Sequence, residues 1–132
     1  MGKILVVDDE PLICEMLDVF LSRAGHDVCT ASNGEEATKV VKKTEIDLVI
    51  TDIVMPERDG IETIIQLRKD YPDLSIIAIS GGPRVGNCDF LAMAGKLGAC
   101  ETLHKPLDSD QLLLAVEKCL AKGCQEQSPN GL

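Results

Sequence analysis

The sequence predicts an α/β fold, a doubly wound sheet of five parallel strands with helices on both faces. Two observations predict this fold. Five short apolar segments alternate along the chain with segments whose apolar residues recur at helical spacing. At 132 residues, the chain has room for one hydrophobic core but not for two ordinary domains. Parallel strands need crossover connections, and the intervening helices supply them.

The predicted strands are short apolar runs, most of them rich in β-branched residues and bounded by charged or turn-forming residues. Runs of this kind are typical of strands that are buried on both faces, as in a parallel sheet. In chain order they are KILVV (3–7), DVCTA (27–31), DLVITD (47–52), SIIAIS (75–80) and ACETLH (99–104).

Each predicted strand is followed by an amphipathic segment of helical period. The first begins at Pro11, a residue favoured in the first turn of a helix. In the second, Ser32 and Glu35 have the spacing of a capping box, as do Asp108 and Gln111 in the last. The five segments are PLICEMLDVFLSRAG (11–25), SNGEEATKVVKKT (32–44), GIETIIQLRKD (60–70), FLAMAGKLG (90–98) and KPLDSDQLLLAVEKCLAKG (105–123).

The charge balance argues against two classes of partner. Thirteen basic and 22 acidic side chains give a formal charge of −9, which repels both nucleic-acid phosphates and anionic lipid headgroups. We therefore expect no direct binding to nucleic acid or to membranes. The apolar runs fall far short of the roughly 20 residues that span a bilayer, and MGKILVV lacks the features of a signal peptide. These features predict a cytoplasmic protein.

The six cysteines form no C-x-x-C pair and have no histidine ligands nearby, so a zinc site is not expected. We expect reduced thiols that act as small hydrophobic side chains. One of them lies in the polar segment at the end of the chain, where it is expected to be exposed and able to cross-link dimers. The cysteines are Cys14, Cys29, Cys88, Cys100, Cys119 and, in that last segment, Cys124.

Polar residues follow four of the five predicted strands. Asp8 and Asp9 follow the first strand and Asp52 ends the third. Ser80 ends the fourth strand, and Lys105 comes directly after the fifth. Because the carboxyl ends of parallel strands meet at one edge of the sheet, near the topological switch point, we expect these five residues to converge there.

Three carboxylates in one crevice repel one another unless a cation lies between them. Mg²⁺ is the hard, oxygen-binding choice for such a set. It would also offset the charge of an incoming phosphoryl group, while Lys105 supplies a second cation and Ser80 a hydroxyl donor. Asp52 is then a candidate nucleophile, and the sequence predicts a site for phosphoryl transfer.

Other polar residues have a simpler interpretation. Glu10 is expected only to cap the first helix and to favour its dipole. That role would suit Asp8 or Asp9 taken singly, but it does not explain acids, a hydroxyl and a lysine at several strand ends. His26 and His104 lack ligand partners at suitable spacing, so we expect surface imidazoles.

The segments VVDDEP, DLVITDIVMPERDG, SIIAISGG and LHKPL, in this order, resemble the receiver domains of two-component response regulators. The resemblance covers Lys3 to about Lys122. It implies a flavodoxin-like fold of the receiver type, similar to single-domain chemotaxis regulators. We expect a receiver domain over residues 1–122 and a flexible carboxyl-terminal tail over residues 123–132.

The resemblance also implies a bacterial signalling role. Asp52 would receive a phosphoryl group from a sensor histidine kinase or a phosphotransfer protein, and the modified domain would regulate a downstream protein target. Ser80 and Lys105 would bind the phosphoryl oxygens. The domain would be no enzyme beyond catalysing its own phosphorylation and dephosphorylation, and we expect a monomer or a weak dimer.

For the metal, the resemblance implies Mg²⁺ held directly by Asp9, Asp52 and the backbone carbonyl of Val54, with Asp8 acting through water. The chain departs from the family pattern where an aromatic residue usually precedes the strand-five lysine by three positions, because Thr102 stands there. The segment between Ser80 and Lys105 is also a few residues longer than usual. The extra length lies in GGPRVGN (81–87), and we expect this loop to take over the response to phosphorylation.

The alternative is a Mg²⁺-dependent phosphohydrolase that uses Asp52 or Asp9 as nucleophile on small phosphate esters. Haloacid-dehalogenase-like enzymes also begin with an aspartate at a strand end. Their motif is D-x-D, whereas Asp8 and Asp9 are adjacent, and the chain is too short to include a substrate-specifying cap. A scaffold that is never phosphorylated is a third possibility, which the full set of acids, hydroxyl and lysine disfavours.

Overall fold

The computed structural model describes residues 2–52, 60–80, 99–104 and 108–126. At residues 60, 61, 80, 104 and 122–126 it describes only the backbone. The described residues form a five-stranded parallel sheet with four helices, which confirms the predicted fold class. The fourth predicted helix, 90–98, lies outside them. The elements are β1 (Lys3–Val7), α1 (Pro11–Arg23), β2 (Asp27–Ala31), α2 (Gly34–Lys43), β3 (Leu48–Asp52), α3 (Gly60–Asp70), β4 (Ser75–Ser80), β5 (Glu101–His104) and α4 (Ser109–Glu126).

The strand order is β2-β1-β3-β4-β5, and all neighbouring strands are parallel. The chain reverses its direction of travel across the sheet after β2, so the switch point lies between β1 and β3. Val7 at the end of β1 is opposite Thr51 in β3. The residues that follow Val7 and Thr51 therefore lie side by side at the carboxyl edge, which is where open α/β sheets bind ligands.

The core has two layers, one on each face of the sheet. Successive strand side chains point to opposite faces, so Leu5 and Val7 belong to one layer while Ile4 and Val6 belong to the other. Helices α2 and α3 cover the first layer, and α1 and α4 cover the second. The buried helix residues of the two hydrophobic clusters are Ala37, Val41, Ile64 and Leu67 on the first face, and Leu17, Leu21, Leu112, Ala115, Val116 and Cys119 on the second.

The amino terminus of α2 lies one residue later than the sequence predicts. Asn33 is the N-cap, and its side chain accepts a hydrogen bond of 2.9 Å from the backbone N–H of Glu36. The Glu36 carboxylate in turn accepts from the backbone N–H of Ser32 at 2.9 Å. The capping pair is therefore Asn33 and Glu36, and the predicted pair Ser32 and Glu35 is wrong.

We expect Asn33→Ala to lower the free energy of unfolding by about 1 kcal/mol, because it removes the side-chain acceptor from the first turn of α2. Ser32→Ala is the matched control and should change it by less than about 0.5 kcal/mol, because it leaves the Asn33 cap in place and removes only a side-chain hydrogen bond to the exposed Glu36 carboxylate. Urea unfolding of the two variants measures both values. A larger loss for Ser32→Ala would restore the predicted capping pair.

Helix α4 begins where Asp108 caps it, because the Asp108 carboxylate accepts from the backbone N–H of Asp110 at 2.9 Å. The helix continues to Glu126, past the predicted end of its segment at Gly123. Residues 127–132 lie outside the described part of the chain. Among the residues that are described, no helix is both long enough and apolar enough to cross a membrane.

The expectation of reduced thiols is wrong for two of the six cysteines, because Cys100 and Cys119 form a disulfide with a Cα–Cα distance of 6.0 Å. The bond joins the residue before β5 to the buried face of α4. Cys14 and Cys29 are reduced thiols, as predicted. The disulfide cysteines are 19 positions apart, and closing a loop of that length stabilises a fold by about 3 kcal/mol on the chain-entropy model.

His26 is not the surface imidazole that the sequence predicts. The side chain is half-buried, and its Nδ1 accepts a hydrogen bond of 3.1 Å from the backbone N–H of Gly2. Burial lowers the pKa of His26 below the ordinary value of 6.5, and the charge of the amino terminus lowers it further. A protonated Nδ1 cannot accept the bond from Gly2, so the neutral form is the one that the fold favours.

We expect the free energy of unfolding to fall as the pH drops from about 6.5 through the lowered native pKa of His26. In that window the unfolded chain binds the proton more tightly than the native protein does, so acid favours unfolding. The stabilising contribution is complete above the unfolded pKa. His26→Gln should flatten the pH dependence, whereas His104→Gln, the matched control, should keep it. Chemical unfolding between pH 5 and pH 8 measures the slopes, and an unaltered slope in His26→Gln would contradict the assignment.

Candidate functional site

Three carboxylates meet at the carboxyl edge of the sheet. Asp8 and Asp9 follow β1 directly, and Asp52 is the last residue of β3. One carboxylate oxygen from each lies within 4.8 Å of the others. The parallel pairing of β1 with β3 produces this proximity, because the two strands end at the same level. The structure thus brings together the three acids that the sequence predicts at this edge.

Asp8 is held in place from three sides. Its backbone N–H donates to the carbonyl of Ala31 at 3.1 Å, which continues the pairing with β2. Its own carbonyl accepts from the Cys14 thiol at 3.4 Å. Its carboxylate accepts from the backbone N–H of Glu10 at 2.9 Å. The Asp8 side chain therefore also shapes the turn that leads from β1 into α1.

The three acids differ in burial. Asp8 is 3% exposed and Asp52 is 6% exposed, whereas Asp9 is exposed. The Asp52 backbone carbonyl also accepts a hydrogen bond of 3.0 Å from the hydroxyl of Thr51, a buried contact. The cluster thus has two carboxylates in the sheet edge and one at the surface. An ion or a phosphoryl donor can approach it from the Asp9 side.

The acids suit a magnesium ion by ligand type and by span. Mg²⁺ binds oxygen ligands at 2.0–2.1 Å in an octahedron, so two oxygens on one ion are at most about 4.2 Å apart. The 4.8 Å limit on the distances in the cluster is close to that span, and small rotations of the side chains would close the difference. Carboxylate oxygens with room for water on one side form the donor set that this ion prefers.

An open cavity of about 370 Å³ adjoins the cluster on the side of α1 and β2. All the described charged residues that line it are acidic, so it attracts cations and repels phosphate esters. A cation at the cluster would reverse that preference next to Asp52. The acids that line the cavity are Asp8, Asp9, Glu15, Asp18 and Glu36.

Glu10 does not cap α1 in the way that the sequence predicts. It occupies the N-cap position, but its side chain makes no capping hydrogen bond. The first turn begins instead with backbone bonds from Ile13 and Cys14 to the Glu10 carbonyl, at 3.1 and 3.2 Å. The contact of the Cys14 thiol with the Asp8 carbonyl was not predicted from the sequence. The one sequence feature that pointed to it was the position of Cys14 in the first turn of α1, close to the end of β1.

The remaining predicted site residues are described in part or not at all. Ser80 is the last residue of β4, one position past Ile79, which is opposite Asp52. The Ser80 backbone thus lies at the edge that holds the acids. Val54, Lys105 and the 81–87 segment lie outside the described residues, so their roles stay predictions. Thr102 is exposed on β5, in register with Ala78.

A family model described as the response regulator receiver domain matches residues 4–117. The chain belongs to this family. The match begins inside β1 and ends inside α4, so it contains the acid cluster and the strands that position it. The predicted resemblance to receiver domains of two-component systems is therefore confirmed.

This receiver domain is similar to part of longer regulators. The transcriptional regulatory protein ZraR of Klebsiella oxytoca is 37% identical over 126 residues, which are 96% of this chain and 28% of that protein. The chain therefore spans less than a third of that relative's length.

Two solved receiver domains have the same fold over nearly their whole length. The crystal structure of a response regulator receiver domain protein from Clostridium thermocellum is 32% identical, with a TM-score of 0.85 over 92% of this chain and 96% of that one. The solution structure of the beryllofluoride-activated NtrC4 receiver domain dimer is also 32% identical, with a TM-score of 0.85 over 93% of this chain and 99% of that one.

Proposed function

We propose that this receiver domain is the phosphoacceptor of a two-component system and that Asp52 accepts the phosphoryl group. The cluster of Asp8, Asp9 and Asp52 at the switch point is the observation that carries the proposal. In the transfer, a carboxylate oxygen of Asp52 forms a bond to phosphorus while the bond between phosphorus and the donor's imidazole nitrogen breaks. The products are an aspartyl phosphate and a neutral imidazole on the kinase or phosphotransfer protein, since the phosphorylated ring carries a proton on its other nitrogen and keeps it when the P–N bond breaks.

The proposed metal ligands are Asp9, Asp52 and the backbone carbonyl of Val54, with Asp8 acting through water. Bound Mg²⁺ would supply positive charge that offsets the charge on the phosphoryl oxygens. An indirect role for Asp8 is supported by its hydrogen bond from the Glu10 N–H, which already occupies one carboxylate oxygen. Exposed Asp9 has greater freedom to turn toward the ion.

Ser80 and Lys105 complete the proposed site. Ser80 would donate its hydroxyl to one phosphoryl oxygen, and Lys105 would provide a charge-assisted contact to another. Their places at the ends of β4 and β5 are consistent with these roles, since both strands end at the edge where the acids lie. The domain would catalyse its own phosphorylation and dephosphorylation and nothing further.

The proposed partners are a sensor histidine kinase or a phosphotransfer protein upstream and a protein target downstream. The charge of −9 supports a protein target over direct contact with nucleic acid. We propose a monomer or a weak dimer, and the dimer is supported by the solution structure of the similar beryllofluoride-activated NtrC4 receiver domain, which is a dimer. The proposal includes a cytoplasmic location. It keeps residues 1–122 as the receiver unit and 123–132 as a carboxyl-terminal tail, whose first four residues continue α4.

The phosphohydrolase alternative is not favoured, because the similar proteins are response regulators. We expect no sustained turnover of a chromogenic phosphate ester when the protein is incubated with Mg²⁺, since an aspartyl phosphate here is a signal and not an intermediate of rapid turnover. Absorbance of the released alcohol over many protein equivalents measures this. Continued release that Asp52→Ala abolishes would establish the hydrolase instead.

A further inference from the structure

The Cys100–Cys119 disulfide lies at the opposite edge of the sheet from the acid cluster. Cys100 comes directly before β5, so it is at the amino end of that strand. Lys105, the predicted phosphate-binding residue, follows the carboxyl end in the sequence. Cys119 is on the core face of α4 and is fully buried, whereas Cys100 is half-buried. The proposed phosphorylation does not use either sulfur.

Three contacts other than the disulfide hold the two cysteines in position. The Cys100 N–H donates to the carbonyl of Ile76 at 2.6 Å, and the Ser75 hydroxyl donates to the carbonyl of Cys119 at 3.2 Å. The start of β4 therefore fixes both backbones. Lys118 and Glu101, the neighbours of the two cysteines, form an ion pair of 3.4 Å between the same two elements.

These contacts do not depend on the bond between the sulfurs. A reduced protein that keeps them keeps the two thiols close together, with the Cα–Cα distance near the 6.0 Å of the disulfide form, which is within the range that disulfides accept. The bond can then form again without rearrangement of the backbone.

We propose that Cys100 and Cys119 are a reversible thiol–disulfide pair that gives this domain a redox input, separate from the phosphorylation site. The oxidised form ties β5 to α4, and the reduced form leaves them joined by non-covalent contacts alone. The proposal stands on the position of the pair and holds whether or not Asp52 is phosphorylated.

The oxidant is a low-molecular-weight disulfide, and the reaction proceeds by exchange. The thiolate of half-buried Cys100 attacks one sulfur of the small disulfide, and a small thiol leaves with the first proton. The Cys119 sulfur then attacks the mixed disulfide on Cys100 and releases a second small thiol. Two protein thiols are oxidised and one small disulfide is reduced to two thiols, so electrons and protons balance.

The disulfide closes a loop that connects the two cysteines to the carboxyl edge of the sheet, where we propose that the phosphoryl group binds. That loop contains all of β5, the 105–107 segment and the first half of α4. Oxidation restricts the opening of this unit, because the ends of the loop can no longer separate. We therefore expect slower amide exchange in residues 101–104 and 109–118 of the oxidised protein.

The test equilibrates the full chain in glutathione buffers of graded thiol-to-disulfide ratio, blocks free thiols by alkylation, and maps the cysteine peptides by mass. We expect Cys100 and Cys119 to pass together from alkylated to linked, and the linked protein to return to thiols on adding dithiothreitol. The thermal midpoint of the linked form should be higher by about 10 °C. Amide exchange in the two loop segments is measured on the same samples.

The controls compare oxidised with reduced protein within each variant, so the cost of the substitution itself cancels. Cys100→Ser should lose the shift in thermal midpoint, and Cys119→Ala serves if Cys100→Ser does not fold. Cys29→Ser is the matched control and should keep the shift, because Cys29 is a half-buried thiol on β2 whose pKa is raised by burial. The proposal is overturned if only glutathione adducts form, or if the linked form melts and exchanges like the reduced one.

Discussion

Asp52→Ala is expected to abolish phosphorylation by acetyl phosphate in the presence of Mg²⁺. The variant lacks the carboxylate that accepts the phosphoryl group, and it also lacks one of the three acids of the cluster. Wild-type protein should gain a single phosphoryl group, and Asp52→Ala should gain none. Intact-mass spectrometry at short incubation times measures the modified fraction directly.

Two controls separate loss of the acceptor from loss of the fold. Asp52→Asn keeps the shape of the side chain and should also remain unmodified, because an amide does not act as the nucleophile. Asp70→Ala removes an exposed aspartate at the end of α3 and should be phosphorylated like wild type. If Asp52→Ala gained a phosphoryl group at the wild-type rate, another residue would be the acceptor and the assignment of Asp52 would be wrong.

Asp9→Ala is expected to weaken Mg²⁺ binding by about ten- to a hundredfold, because it removes a proposed direct ligand and one unit of negative charge beside a divalent ion. Asp9 is exposed, so its removal should cost little folding free energy. Isothermal titration at fixed ionic strength measures the dissociation constant, and the same samples give the melting curve that shows the fold is retained.

Glu10→Ala and Glu15→Ala are the matched controls for Asp9→Ala. Glu10 is the next residue in the chain, and Glu15 lines the same cavity from α1. Each removes the same charge without removing a proposed ligand, so we expect each to weaken binding by less than about threefold through the screened field alone. If all three variants weaken binding equally, the acids act as a diffuse negative surface and not as a ligand set.

The amino terminus of α2 shows that a local sequence pattern can fit two N-cap positions equally well. Ser32 and Asn33 are both good N-cap residues, and a glutamate follows each of them three positions later. The sequence therefore could not decide between the two positions. The structure decides it, because Asn33 has the extended backbone of an N-cap and its side chain accepts from the Glu36 N–H.

Amino-acid order alone determined the alternation of strands and helices and the placement of acids at strand ends. KILVV and SIIAIS form strands with the predicted bounds, because an apolar run between turn residues has few other ways to be buried. Asp8, Asp9 and Asp52 follow or end predicted strands, so parallel pairing was enough to predict that they share one edge.

Tertiary structure decided what depends on distances between separate elements. Only the strand order makes β1 and β3 neighbours, which brings Asp8 and Asp9 within 4.8 Å of Asp52. Likewise, Cys100 and Cys119 meet because α4 packs across β4 and β5 on the face that α1 shares. Local sequence does not encode these distances, since many side chains must pack together at once before any two remote residues are held in contact.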